Sequence, residues 1–126
     1  MFICDEIIDK LEELSLTVDD IEFISMEVKE NTCQYAIFTW EEFQSMYPRF
    51  FYDNGLGSQE INPTLTIYTK DYIFYRREYD GGEWFESVPT KENILNKSRV
   101  DNKKNYIHAE VYYGMRDEDY NFNGGF

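Results

Sequence analysis

Tyr72-Ile73-Phe74-Tyr75-Arg76-Arg77-Glu78-Tyr79-Asp80-Gly81-Gly82-Glu83-Trp84-Phe85-Glu86-Ser87-Val88 has the pattern of a β-hairpin. Two runs rich in aromatic and β-branched residues flank a polar break, and paired glycines supply the positive φ that a tight hairpin turn needs. Strands are expected over 71–79 and 83–88, with the turn at Asp80-Gly81-Gly82-Glu83. A further strand at 64–69 precedes them. Earlier, 20–28 and 33–39 read as a second strand pair around a polar turn at Lys29–Thr32. A last strand is expected at Tyr106–Tyr113, where Tyr106, His108, Glu110 and Tyr112 alternate with Ile107, Ala109, Val111 and Tyr113.

Helices frame these strands. Over residues 3–15, Ile3, Ile7, Leu11 and Leu14 recur at the spacing of one helix face, with Ile8 beside them. Asp5, Glu6, Asp9, Glu12 and Glu13 fill the remainder, with Lys10 the lone base. Thr39-Trp40-Glu41-Glu42 matches a capping box, in which the threonine hydroxyl and the glutamate three residues on satisfy each other's backbone N–H groups. A short helix should follow, burying Trp40, Phe43 and either Met46 or Tyr47, and ending at Pro48. Thr90 to about Leu95 reads as a helical turn. The expected fold is α+β: a mainly antiparallel sheet of five to six strands, an N-terminal amphipathic helix and a second short helix. At 126 residues the chain can bury roughly two-thirds of its unfolded surface without metal or disulfide support. One domain is expected over residues 1–113, with an acidic, flexible tail at 114–126.

Charge narrows the choice of partners. The chain holds 25 acidic and 12 basic residues, a formal net charge of −13. Residues 1–69 carry 14 acids against Lys10, Lys29 and Arg49, a net of −11, whereas residues 70–126 carry 11 acids against nine bases. A field of this sign repels nucleic acid and anionic membranes and draws basic protein surfaces. Direct nucleic-acid or membrane binding is therefore not expected. Cys4 and Cys33 form no disulfide framework, and no signal peptide opens the chain, so a reducing cytoplasm is the expected compartment.

Reactive chemistry is sparse. Zinc wants three or four Cys or His ligands, and this chain owns only Cys4, Cys33 and His108, far apart. No phosphate loop, dinucleotide fingerprint or nucleophile elbow occurs. The loop Asp53-Asn54-Gly55-Leu56-Gly57-Ser58-Gln59-Glu60 fails the calcium pattern, because its third position is Gly55 and its acid arrives at the eighth. Glu78, Glu83 and Glu86 flank the hairpin and could act as acid and base, but among so many acids they read as a solvated sheet face, paired in part with Arg76 and Arg77 across the hairpin. No catalytic residue, cofactor or metal is expected, and the chain is not read as an enzyme.

Aromatics are the other resource. Tyr68, Tyr72, Phe74, Tyr75, Tyr79, Trp84 and Phe85 crowd the central strands and point to both faces. They read as a packed sheet with wet edges or as a tyrosine-rich interface. An apolar edge on the last strand would support a homodimer.

Tyr52-Asp53-Asn54-Gly55-Leu56-Gly57-Ser58-Gln59-Glu60-Ile61 and Arg77-Glu78-Tyr79-Asp80-Gly81-Gly82-Glu83-Trp84-Phe85-Glu86, together with Thr39-Trp40-Glu41-Glu42-Phe43, resemble a pattern in small, acidic, uncharacterised proteins of bacteriophage type. The resemblance covers about residues 39–89. It implies a mobile-element protein in a bacterial cell and carries no activity or site residue with it.

The expected function is that of an acidic, protein-binding inhibitor that mimics DNA charge at the basic site of a host defence nuclease, of anti-CRISPR or anti-restriction type. A net charge of −13 matches roughly 6–7 base pairs of duplex. Asp5, Asp9 and Glu12 or Glu13 recur at about 6 Å along one helix face. Glu22, Glu27, Glu41, Glu42, Tyr52, Asp53 and Glu60 complete the expected partner-binding set. The alternative is an immunity protein, an antitoxin or a small regulatory module that caps a basic partner, with specificity in the aromatic sheet and the 49–63 loop.

Overall fold

The computed structural model describes residues 1–29, 32–53 and 58–97, and Met1–Asn96 form one compact unit. Helix α1 (Ile3–Glu13) leads through a 3-10 turn (Val18–Asp20) into β1 (Ile21–Glu27). Strand β2 (Tyr35–Phe38), helix α2 (Trp40–Met46), β3 (Thr66–Thr69), β4 (Tyr72–Tyr79), β5 (Gly82–Pro89) and α3 (Lys91–Asn96) follow. The five strands form one sheet in the order β2-β1-β3-β4-β5, and every neighbouring pair is antiparallel. The fold is α+β, as expected. The strand expected at Tyr106–Tyr113, the tail at 114–126 and the C-terminal part of the 1–113 domain lie outside the described residues.

Register explains which side chains are buried. Phe38, Ile24, Ile67 and Phe74 stand in one row across four strands. Leu65, Arg76 and Phe85 point to the same face one step along. Ile3, Ile7 and Leu11 of α1 and Trp40 and Phe43 of α2 pack on this face and complete a single core. Helix α1 contacts β5, while α2 contacts β1 and β2, so the two helices cover opposite halves of the sheet. The other face carries Phe23, Tyr68, Ile73, Tyr75 and Trp84, all half-buried, with Tyr35 and Ile37 exposed. Phe23 stacks on Tyr68 at 4.2 Å between ring centroids.

Local chemistry sets the boundaries. The β4–β5 turn has Asp80 (φ 50°) and Gly81 (φ 87°) at its centre, with Tyr79 opposite Gly82. Positive φ at both positions is the type I′ arrangement that suits the twist of the flanking strands. Gly82 therefore belongs to the returning strand. Helix α1 stops at Glu13, short of the expected residue 15, because Ser15 adopts φ 61°. Ser15 N–H then donates to the Glu12 carbonyl and Leu16 N–H to the Leu11 carbonyl, the two bonds of a Schellman cap. Strand β2 begins at Tyr35 rather than 33, since Cys33 is also left-handed (φ 58°). Strand β3 begins at Thr66 rather than 64, because the Asn62 side chain accepts from Thr64 N–H and holds that residue in a turn. The capping box forms as read, with Glu42 N–H donating to Thr39 Oγ1 at 3.1 Å and Thr39 N–H to Glu42 Oε1 at 2.9 Å. Of the two candidates at the end of α2, Tyr47 packs on the core and Met46 is exposed.

Candidate protein-binding surface

Helix α1 divides its acids between two environments. Asp5, Asp9, Glu12 and Glu13 are all exposed on its outer side. Positions five, nine and twelve to thirteen repeat at one helical turn, so their carboxylates form a line about 6 Å apart. Lys10, the helix's one base, is engaged by Glu13 at 2.8 Å. Beside the helix an open groove of about 480 Å³ is lined by Glu6, Asp9, Lys10, Glu13, Trp84 and Glu86. Trp84 Nε1 donates to Glu86 Oε1 at 3.2 Å.

Glu6 has the opposite fate. It is buried, and its Oε2 accepts from Arg76 Nη1 at 3.0 Å. Arg76 Nη2 reaches Glu83 Oε1 at 2.8 Å and Tyr52 Oη at 3.1 Å. Tyr52 in turn donates to Glu6 Oε1. The Glu83 carboxylate also accepts the backbone N–H groups of Glu60 (2.6 Å) and Ile61 (3.2 Å). The Arg76 side chain has no exposed surface, and its guanidinium lies 4.5 Å from the Phe85 ring centroid. Among the described residues, Arg76 Nε is the buried side-chain polar atom without a hydrogen-bond partner.

This cluster is chemically closed. Burial, and then donation to Glu6, push the Tyr52 phenol well above the ordinary tyrosine range, so it stays protonated and acts as a donor. Burial pulls the Arg76 pKa down, but its bonds to Tyr52 and Glu83 and the nearby Glu6 charge outweigh that and leave it raised. Each carboxylate lies against the guanidinium. The cluster joins four places in the chain: α1, the segment at Tyr52, β4, and the start of β5. A second tie runs beside it. Met1 and Tyr52 exchange two bonds of 3.0 Å, Phe2 bridges Phe51, and Ile3 N–H donates to the Phe50 carbonyl, satisfying the uncapped start of α1.

The residues expected to bind a partner are therefore not one surface. Asp5, Asp9, Glu12 and Glu13 come together on α1. Glu41 and Glu42 are exposed at the start of α2, over the other half of the sheet, and Glu42 is occupied in its capping box. Glu22 is exposed on β1; Glu27 is half-buried and accepts from Cys33 N–H at 3.2 Å. Asp53 and Glu60 are exposed and joined, Asp53 N–H donating to Glu60 Oε2 at 2.7 Å. Tyr52 departs from expectation. It is buried in the Glu6–Arg76 cluster and presents nothing to a partner. Glu83 likewise belongs to the interior rather than to a solvated sheet face, though its pairing with Arg76 across the hairpin is as read.

Cys4 is buried and Cys33 exposed, and both are free thiols. Burial, with Asp5 adding to it, raises the Cys4 pKa, and its Sγ donates to the Tyr47 carbonyl at 3.4 Å. That is the environment of an inert, structural cysteine. No described helix is long and apolar enough to cross a membrane. The chain matches no known family, no curated protein and no solved structure.

Proposed function

We propose that this chain is an acidic, protein-binding inhibitor whose α1 face lies in the basic nucleic-acid site of its partner. A host defence nuclease met by a phage-type protein, as in anti-CRISPR or anti-restriction inhibition, is the partner class that fits best. The observation that carries the reading is the line of Asp5, Asp9, Glu12 and Glu13, all exposed on one helix side. Carboxylates spaced along a rigid rod can occupy a phosphate-binding cleft without any reactive group. Rigidity matters because a surface that is already ordered loses less freedom on binding, and the Glu6–Arg76–Glu83 cluster anchors this helix from behind.

The test reverses the charge on that face. Changing Asp5, Asp9, Glu12 and Glu13 together to Lys should abolish displacement of nucleic acid from guide-loaded or restriction nucleases, read by fluorescence anisotropy. The far-UV circular dichroism should stay as in the wild type. A folded reversal variant that displaces nucleic acid as well as the parent would overturn the reading.

A second reading, an immunity protein, antitoxin or regulatory module capping a basic partner, is favoured by a different observation. Phe2, Met46, Phe50 and Phe51 are all exposed, and Phe2 packs edge-on to Phe51 at 5.3 Å. Clustered large apolar side chains on a surface mark an interface more often than chance.

A further inference from the structure

We propose that the apolar cavity beside Phe50 is an anchor pocket for one aliphatic side chain carried on a basic segment of the partner protein. This rests on the protein-binding reading above but not on the α1 face. The cavity measures about 110 Å³, and its walls include Ile3, Phe43, Ile61 and Leu65, all buried. Phe50 and Glu60 also line it and are exposed, so part of the cavity wall lies at the surface.

Size selects the occupant. A dry cavity of ~150 Å³ accepts a benzene ring, and an apolar wall gives water too few partners to fill such a space well. A volume of about 110 Å³ suits a leucine, isoleucine or valine side chain better than a tyrosine or tryptophan. The surroundings supply what an interface anchor needs: an apolar pocket enclosed by further contacts that exclude water. Phe51 adjoins Phe50 in the chain, Met46 adjoins Tyr47, and Tyr47 and Phe50 pack edge-on at 6.1 Å.

Charge selects the flanks. Between residues 40 and 65 the sequence holds Glu41, Glu42, Asp53 and Glu60 against a single base, Arg49. Glu60 stands on the cavity wall itself, with Asp53 bonded to it. A lysine or arginine next to the inserted aliphatic group would meet the Glu60 carboxylate, whereas an acidic segment would be repelled.

The experiment uses methyl-labelled protein and three peptides: acetyl-Lys-Lys-Leu-Lys-Lys-amide, its Leu-to-Ala analogue, and acetyl-Ser-Ser-Leu-Ser-Ser-amide. The first should shift the methyl resonances of Ile3, Ile61 and Leu65 and bind at least tenfold more tightly than either of the others. Phe50→Ala, at an exposed position that leaves the core intact, should erase the preference for leucine over alanine. Glu60→Gln should weaken the lysine peptide severalfold and leave the serine peptide unchanged. Equal binding of the leucine and alanine peptides, with the Ile3, Ile61 and Leu65 methyls unmoved, would overturn the pocket while leaving the acidic-face reading standing. Equal binding of the lysine and serine peptides, or no methyl shift at millimolar peptide, would overturn it as well.

Discussion

Asp5 and Glu6 are consecutive acids on one helix, and they do opposite work. Asp5 is exposed in a line of carboxylates; Glu6 is buried against Arg76 at 3.0 Å. The difference comes from a turn of about 100° between neighbouring helix positions, which places Glu6 beside Ile3 and Ile7 over the sheet. An outward carboxylate keeps its water and contributes little to stability. An inward one has lost its water and depends wholly on its partners. The same residue type is thus a surface for others on one side and a fastener on the other.

Removing Arg76 should have the largest effect. Arg76→Ala leaves Glu6 and Glu83 buried without their cation, a loss of about 3–5 kcal/mol in unfolding free energy by urea titration. Glu6→Ala in that background should cost far less than Glu6→Ala alone, because the two share one interaction. Additive losses would mean that the pair is not energetically coupled and that the fastener is packing alone.

Raising the pH should have a smaller, graded effect. The Tyr52 phenol has a folded-state pKa above its unfolded value near ~10. A raised pKa means that the folded chain holds the proton more tightly. Its stabilisation is complete below the unfolded value and is lost as pH climbs toward the folded one, at about 1.4 kcal/mol per pH unit. Stability measured from pH 9 to 11 should fall for the wild type and stay flatter for Tyr52→Phe. Parallel curves would remove Tyr52 from the account of alkaline unfolding.

How much of this could be read beforehand differs by region. The hairpin and the Thr39–Glu42 box were legible because their signals are local: glycines at a turn, a threonine and a glutamate three residues apart. The outward acids of α1 were legible for the same reason. The Arg76 cluster was not, since Glu6 and Arg76 stand 70 residues apart and no local pattern links them. A partial signal existed. Arg76 shares strand parity with Phe74, and Glu83 with Phe85, so alternation already turned both charges toward the core. Tyr52 had no such cue, because it lies in an irregular segment whose burial depends on pairing with Met1. Ser15 misled in a simpler way: a left-handed helix end usually carries glycine, and here a serine takes that conformation.

The smallest stability effect should come from the outward acids. Asp5→Asn removes charge from the first turn of α1, where a carboxylate favours the helix dipole by about 0.3–1 kcal/mol, whereas Asp9→Asn acts at mid-helix, where the dipole is weakly felt. Glu12→Gln and Glu13→Gln remove negative charge near the opposite end, where it opposes the dipole, though Glu13 also gives up its contact with Lys10 at 2.8 Å. The two halves act in opposite directions. The fourfold neutral variant should therefore unfold within about 1 kcal/mol of the wild type, with single changes of either sign resolved by thermal denaturation at low salt. Added salt should shrink those single differences, because exposed charges are screened over about 10 Å at 0.1 M. It should leave the Arg76→Ala loss almost unchanged, because that charge lies out of reach of mobile ions. If instead the fourfold variant lost as much stability as Arg76→Ala, the outer acids would be structural, and the division of labour along α1 would fail.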